Sequence, residues 1–261
     1  MSILTAFTLK QNRQLLWELT LREIRQRYKQ SVLGYFWVIL SPALQMVVMS
    51  FVFSFVFKLA DVGVPYSIFL FSGLLPWTLF STSLQAATGS LVSNAGLIRK
   101  IYFPREILVL SNILAKNIDF FLSTTVFIAM MFIFRIPVTF HVFWVIPILL
   151  IQNLLTYGIG LMLSAFNLFY RDIQYLINLI LLLWMYLTPI MYSVSIFPEK
   201  YRWIFRFNPM AIFVNAYREV VLSGGWPNFT SLGLALFLSL VLLGVGFKIF
   251  KKLEGQFADV V

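Results

Sequence analysis

Long apolar stretches, separated by short polar segments, run through the whole chain. A helix needs about 20 apolar residues to cross the hydrocarbon core of a bilayer. No repeat or separate water-soluble domain is evident, so the pattern predicts one all-α membrane domain over residues 1–261, with residues 1–31 before the first span and a short tail at 251–261. The six predicted transmembrane helices are 32–57, 68–92, 107–134, 143–169, 173–192 and 229–250.

The segment before the first predicted span combines basic and apolar residues. Apolar residues spaced four, three and four apart place one stripe on a helix, and charged residues follow the same spacing one position later. This pattern predicts an amphipathic helix on the membrane surface. The simpler alternative is an ordinary basic flank of a first span. The apolar stripe is Trp17, Leu21, Ile24 and Tyr28, and the basic residues assigned to this interface helix are Arg22, Arg25 and Arg27, together with Tyr28.

Charge and composition fix the class of protein and its orientation. The chain is 60% hydrophobic and only 11% charged, whereas a soluble domain averages about 25% charged residues. Of its 20 Lys and Arg residues, 14 fall on the side that carries both termini, which predicts cytoplasmic termini by the positive-inside rule. The net charge of +10 lies between apolar runs, so nucleic acid is not an expected partner.

Few residues are available for catalysis or metal binding. The chain has no cysteine and one histidine, His141, so thiolate chemistry and a histidine-based metal site are not expected. It contains no GxxxxGK[ST] phosphate loop. Lys116 and Asp119 lie one helical turn apart inside the third span. We interpret them as a structural ion pair, and a proton relay is the alternative.

Prolines and small residues mark positions where helices bend or approach each other. Pro42 is expected either to bend the first span, leaving a carbonyl for a neighbour to satisfy, or to be ordinary packing. The second span is rich in small and hydroxyl residues, and Gly158 and Gly160 occur in the fourth. Small residues allow close helix packing in lipid. The small-residue face of the second span is therefore predicted to meet another helix or to line a cavity. The small-residue faces of the second and fourth spans are also candidate packing surfaces for a second copy of the chain.

The loop between the second and third spans has an unusual composition for a short polar connection. Residues 96–102 are predicted to form a short helix that ends before Pro104, since proline disfavours helix at the preceding residue. Apolar side chains without an interior of their own suggest a docking surface. Membrane-interface snorkelling is the alternative. The candidate docking residues are Leu97, Ile98, Arg99, Lys100, Ile101 and Tyr102.

The segment between the fifth and sixth spans, residues 193–228, is apolar but interrupted. Its longest apolar run covers about 13 residues, too few to cross a bilayer, and proline and glycine supply turns. Two short re-entrant helices in the outer leaflet fit this pattern if protein covers their ends.

Four sequence motifs resemble those of polysaccharide-export ABC transporter permeases, which move O-antigen, capsule or teichoic acid chains. The motifs are REIRQRYKQSVLGYFW, LIRKIYFPRE, NLFYRDI and IFPEKYRWIFRFNPMA, which begin at Arg22, Leu97, Asn167 and Ile196. Val109 departs from the family pattern, in which proline is expected. The resemblance implies a non-enzymatic permease that acts as a homodimer in the bacterial cytoplasmic membrane. ATP and Mg²⁺ would be held by a separate ATPase subunit, with no cofactor in this chain.

The same resemblance implies roles for two segments. Residues 96–102 would be the coupling helix that inserts into the ATPase. The two outer helices would be gate helices, with Tyr201, Trp203, Pro209 and Arg218 as the gate residues.

Aromatic residues make up 18% of the chain. Rings that stack on sugars would let a lipid-linked glycan slide through a channel, although lipid-facing rings and interface belts are the ordinary explanation. Two rival functions remain open: a related permease for drugs or lipids, and a membrane-bound transferase. The candidate path residues are Tyr35, Trp37, Trp77, Phe80, Trp184 and Tyr186.

Overall fold

The structure, a computed structural model, describes residues 9–28, 34, 36–53, 64–100 and 103–260. Within these ranges the chain is almost entirely helical and contains no strand. Short 3-10 turns occur at Phe140–Trp144, Val194–Ile196, Glu199–Tyr201 and Glu254–Gln256. The α-helices are α1 (Leu9–Tyr28), α2 (Phe36–Phe51), α3 (Tyr66–Ser93), α4 (Ala95–Lys100), α5 (Glu106–Ile133), α6 (Val145–Phe169), α7 (Ile173–Leu187), α8 (Trp203–Phe207), α9 (Pro209–Val221), α10 (Phe229–Leu253) and α11 (Phe257–Val260).

Four helices in the described ranges are long and apolar enough to cross a membrane. They are α3, α5, α6 with the turn before it, and α10 with the turn after it, each 28 or 30 residues long. Helices α2 and α7 have 16 and 15 residues, which correspond to about 24 Å and 22 Å of helix rise. Both fall short of a core of about 30 Å. The chain is thus a multi-pass membrane protein, and the count of six spans stays a prediction.

Helix α3 lies at the centre of the bundle. Of its most apolar 18-residue window, 78% is buried, and it packs against α2, α5, α6, α7 and α9. The buried hydroxyls of Thr88 and Ser90 donate to carbonyls of α3 itself, each at 2.7 Å. These hydroxyls are thus hydrogen-bonded within α3, and their small size lets neighbouring helices approach. The prediction that this face meets other helices is confirmed.

Helices α6 and α10 approach each other until their backbones touch. A Cβ added at Gly158 would lie 2.5 Å from the backbone nitrogen of Leu243, and one added at Gly246 would collide with the carbonyl oxygen of Gly158. At Gly160 a Cβ would lie 3.0 Å from that of Ala87 in α3. The predicted close packing at Gly158 and Gly160 is confirmed, and Gly246 is its unpredicted partner.

The proline inside α2 leaves one backbone carbonyl without its helical donor, and a neighbouring helix supplies another. Pro42 has no N–H, so it cannot donate to the carbonyl of Val38 one turn earlier. The Ser123 hydroxyl of α5 donates to that carbonyl at 3.1 Å. The predicted satisfaction by a neighbour is confirmed.

Helix α1 packs against protein along a different face from the predicted one. It crosses α5, with Leu19, Thr20 and Ile24 buried, whereas Trp17 is 57% exposed. The members of the predicted stripe therefore have different surroundings: Ile24 is buried against protein and Trp17 is exposed. The reason is that α5 and the end of α3 occupy part of the surface that was assigned to the bilayer. The side chain of Tyr28, the last member of the stripe, lies outside the described residues.

Two apolar cores divide the bundle. The larger joins α3, α7 and α9 near one end. The smaller gathers Leu19 of α1, Ile98 of α4, Phe103 and Phe257, so it ties both terminal helices to one end of the bundle. That end is the one predicted to be cytoplasmic, and below it is called the terminal-helix end. The other end, where α9 packs, is called the α9 end.

Candidate functional site

The predicted docking helix exists at the terminal-helix end as α4, one residue earlier than expected. Its first turn is closed by the carbonyl of Asn94, which accepts from the backbone N–H groups of Leu97 and Ile98 at 2.9 and 3.1 Å. Arg99 and Lys100 are exposed, so the outward face of this helix is basic.

Ile98 does not belong to an exposed docking surface. Its side chain is 3% exposed and packs in the smaller core with Leu19, Phe103 and Phe257. The expectation that the apolar residues of this loop lack an interior is wrong for Ile98, because α1 and the C-terminal segment cover it. Ile101 and Tyr102 of the same prediction lie outside the described residues.

Two polar contacts attach α1 to the bundle. Arg22 donates to the side-chain oxygen of Asn94, just before α4, and also pairs with Glu23 at 3.3 Å. Arg27 pairs with Asp119 of α5 at 2.9 Å. Arg25 is exposed. Two of the predicted interface arginines therefore hold α1 to α3 and α5 directly.

The charged side chains of Lys116, Asp119 and Arg27 lie together where α1 packs against α5. Lys116 lies 3.4 Å from Asp119, and Arg27 contacts the same carboxylate oxygen. The side chains of these residues are 18–22% exposed. The predicted ion pair is confirmed. The contribution of Arg27 was not predicted, since nothing in sequence spacing connects α1 with α5.

A cavity of about 220 Å³ opens beside this cluster. Hydroxyl groups and charges contribute to its lining, and Trp37 adds an aromatic ring. Trp37 is 47% exposed in the chain. The remaining hydroxyl and charged lining residues are Ser41, Thr78, Thr82, Ser123, Lys116 and Asp119.

At the α9 end the chain leaves α7 through a run of non-helical residues. Helix α7 ends at Leu187, before Thr188 and Pro189. Carbonyls in this run have no helical partner and need other donors in a buried setting. The structure provides them from side chains: Tyr66 donates to the carbonyl of Met191 at 2.7 Å, and Arg218 to that of Ile190 at 2.7 Å.

Arg218 is the centre of this arrangement. It is only 8% exposed, and it donates to the Pro189 carbonyl at 2.6 Å and to the Ser72 hydroxyl at 3.3 Å. Its guanidinium carbon lies 3.7 Å from the ring centroid of Phe69. Burial lowers the pKa of Arg218 from its ordinary value, and these acceptors stabilise the charged form against that desolvation.

Gly73 makes room for the guanidinium. A Cβ at this position would lie 2.8 Å from Nη2 of Arg218 and 3.3 Å from Cα of Ile190. In the sequence Gly73 is only one of the small residues of the second predicted span. Its role in making room for Arg218 follows only from the packing of α9 against α3.

Asn208 joins the start of α9 to the end of α7. Its side-chain oxygen caps α9 by accepting from the N–H groups of Met210 and Ala211, and it also accepts from the Trp184 indole at 2.9 Å. Its amide donates to the carbonyl of Leu187 at 3.3 Å. Pro209 follows as the first residue of α9, the position where proline is best tolerated.

The candidate path aromatics separate into two groups. Trp77 and Phe80 are 4% and 0% exposed and pack edge-on against Trp184, at ring-centroid distances of 6.4 and 5.2 Å. Their rings are enclosed by the chain itself, so the expectation that they line a path is not supported by their position. Tyr186 is exposed, as Trp37 is. Tyr35 lies outside the described residues.

Among the predicted outer residues, Tyr201 and Trp203 are exposed while Arg218 is buried. The segment 193–228 contains the short helices α8 and α9, and their re-entry into the membrane and their role as gate helices stay predictions. Burial of Arg218 was not predictable from an amphipathic pattern, because an arginine in a short polar segment is normally solvated.

Within the described ranges the chain forms a multi-pass helical bundle with four membrane-length helices and a short basic helix between two of them. The sequence profile of the ABC-2 type transporter family matches residues 14–222. The chain belongs to this family.

Curated relatives match along nearly the full length. An O-antigen export system permease protein RfbA from Klebsiella pneumoniae is 33% identical over 263 residues, covering 100% of both chains. One from Myxococcus xanthus is 30% identical, covering 97% of each. The polysialic acid transport protein KpsM from Escherichia coli is 25% identical, covering 90% of this chain and 92% of its own. The resemblance to polysaccharide-export permeases is thereby confirmed.

Proposed function

We propose that this chain is the permease subunit of an ATP-driven exporter that moves a lipid-linked polysaccharide across the cytoplasmic membrane. The observation that carries this proposal is its similarity, over the full length of both chains, to a protein named as an O-antigen export permease. Transporters of drugs or lipids would share the family but not that specific similarity.

The proposed transporter contains two copies of the chain. The small-residue faces of α3 and α6 are packed inside one copy, so they are not the dimer surface that the sequence suggested. We assign the second copy instead to the exposed apolar side chains of α2 and α7, where close packing between helices, and not removal of apolar surface from lipid, would hold the two copies together and shape a channel. The large exposed residues on α7 are Tyr175, Leu176, Leu179, Ile180, Leu182, Leu183, Tyr186 and Leu187.

In the proposed arrangement the terminal-helix end faces the cytoplasm. Helices α2 and α7 complete six crossings with the four long helices, and both termini then share one side. The excess of Lys and Arg on that side supports this orientation. Membrane lipids cover the exposed apolar faces that do not meet the second copy.

ATP and Mg²⁺ are held by a separate ATPase subunit in this proposal. Helix α4 is its docking element, because the exposed Arg99 and Lys100 form a basic surface at the terminal-helix end. The apolar anchoring of Ile98 inside the chain supports the idea further, since a docking helix must transmit force to the bundle and not only bind.

The glycan path runs along the proposed dimer seam. Trp37 of α2 and Tyr186 of α7 are exposed aromatic residues on the two helices that would form it. The hydroxyl-lined cavity beside Trp37 offers hydrogen-bonding groups along this path. Aromatic faces and hydroxyls together suit a polymer that must bind weakly at many points as it slides.

Deletion of this chain in its own host tests the function. Export predicts that completed lipid-linked polymer accumulates on the cytoplasmic side and disappears from the cell surface, while polymer synthesis continues. Restoring the chain on a plasmid should return polymer to the surface. Normal surface polymer in the deletion strain, with altered drug resistance or lipid distribution instead, would contradict the proposal.

A further inference from the structure

The C-terminal segment, residues 251–260 and called the strap below, is tied by charge to the start of α5. Lys251 Nζ lies 2.8 Å from Oε1 of Glu106 and 2.9 Å from Oε2 of Glu254. The side chain of Glu106 is only 5% exposed. A carboxylate this enclosed needs a compensating charge, and Lys251 supplies one from the far end of the sequence.

A second set of contacts joins the strap to Arg105, the residue before α5. The Arg105 guanidinium donates to the backbone carbonyl of Glu254, and its backbone N–H donates to Oε1 of that residue at 3.4 Å. Its guanidinium carbon lies 5.7 Å from the ring centroid of Phe257. Arg105 and Glu106 thus both face the strap.

Phe257 fixes the strap in the smaller core. Its side chain is fully buried, with the ring 5.2 Å from that of Phe250 and 6.2 Å from that of Phe169. The same core contains Ile98 of α4 and Phe103 of the segment that connects α4 to α5. Helix α11 also contacts α4 directly.

The orientation of α4 depends on such contacts. A helix of six residues is too short to be stable by itself, so its position is set by tertiary packing. Its described contacts come from the end of α3, the smaller core and the strap. The strap holds residues 103–105, just before α5, on the side that α10 occupies.

We propose that the strap is a positioning element for energy coupling: Lys251, Glu254 and Phe257 lock α4 to α5 and α10, so that a displacement of α4 moves these helices together. This inference rests on the proposed function of α4 as the ATPase docking helix. It adds a role for the C-terminus, which the motifs of the family resemblance do not include.

A charge exchange tests the inference. The test uses the complete transporter in vesicles, with the permease, its ATPase and lipid-linked polymer all present. Lys251→Glu places a third carboxylate beside Glu106 and Glu254 and should lower polymer exported per ATP hydrolysed by at least about fivefold, the lower end of typical coupling effects. The amount of ATPase that co-purifies should stay the same. The second exchange, Glu106→Lys in the Lys251→Glu chain, restores opposite charges and should recover export per ATP.

Two further variants separate positioning from general stability. Lys252→Glu changes the adjacent, exposed residue by the same charge and should leave export per ATP unchanged. Phe257→Leu keeps an apolar side chain in the core but removes the ring contacts. It should also lower export per ATP, and it replaces Lys251→Glu as the test if that variant does not fold.

The possible results are distinct. Export per ATP that is unchanged in Lys251→Glu or Phe257→Leu, or equally lowered in Lys252→Glu, would overturn the inference. The inference would also be overturned if the chain that carries both Lys251→Glu and Glu106→Lys folds but does not recover export per ATP. If the unmodified chain itself exports no polymer with its ATPase, the proposed function fails and the inference falls with it.

Discussion

Arg218 should be essential for the stability of the α9 end, and its replacement tests the carbonyl-satisfaction argument. Arg218→Met keeps much of the side-chain volume but removes every donor. The carbonyls of Pro189 and Ile190, which accept from Arg218 at 2.6 and 2.7 Å, would lose those bonds in a buried setting. Arg218→Lys keeps the charge but replaces a planar fork of donors with a point charge, so it should be intermediate.

The expected magnitude follows from the number of groups left unsatisfied. A buried acceptor without its hydrogen bond costs about 1–3 kcal/mol, so two carbonyls correspond to about 2–6 kcal/mol. For a chain of this size, 1 kcal/mol shifts the unfolding temperature by about 2–4 °C. Arg218→Met should therefore lower it by at least about 4 °C.

Thermal unfolding of the purified protein in detergent measures this effect. Arg206→Met is the matched control, because Arg206 is an exposed arginine on the neighbouring helix α8 and its loss should change little. Export should fall in Arg218→Met more than in the control. Equal unfolding temperatures for the two variants would refute the idea that Arg218 satisfies the chain after α7.

Four other variants examine the packing, the dimer and the docking surface. Gly158→Ala should destabilise the protein by about 1–3 kcal/mol, because backbone atoms of α10 block the new methyl group. Gly244→Ala, where a Cβ meets no described atom within 4 Å, should be neutral or stabilising in the same thermal assay. Leu183→Cys should give a disulfide-linked dimer on mild oxidation of membranes, and an entirely monomeric band would contradict the α7 seam. Arg99→Glu combined with Lys100→Glu should reduce ATPase co-purification severalfold, and an undiminished yield would exclude α4 as the basic docking surface.

Local patterns predicted much of the helical framework. The four long helices begin and end within a few residues of the predicted spans, since runs of apolar residues between polar turns leave few alternatives in a membrane. The break between α6 and α7 falls at residues 170–172, as the NLFYRDI motif indicated. The local effects of Pro42 and Gly158 could also be predicted. A proline inside a helix leaves a carbonyl that a neighbour must satisfy, and a glycine allows a neighbouring helix to approach closely.

Long-range contacts were not predictable in the same way. The pairing of Arg27 with Asp119 and of Lys251 with Glu106 joins residues 92 and 145 positions apart, and spacing along one helix contains no information about them. The burial of Ile98, Trp77 and Phe80 within the chain was not predictable for a related reason. An apolar residue in a membrane protein looks the same in sequence whether it faces lipid, a channel or another helix of its own chain.

Polymer transport by purified components tests the central claim most directly. The chain would be reconstituted in vesicles with its partner ATPase and labelled lipid-linked polysaccharide. A glycosidase would then be added, and the amounts of label that it can reach and that are protected from it would be measured. The account predicts movement of the glycan across the bilayer that requires ATP, both proteins and an ATPase able to hydrolyse nucleotide. ATP hydrolysis in a properly assembled complex, with no glycan crossing the bilayer, would contradict it.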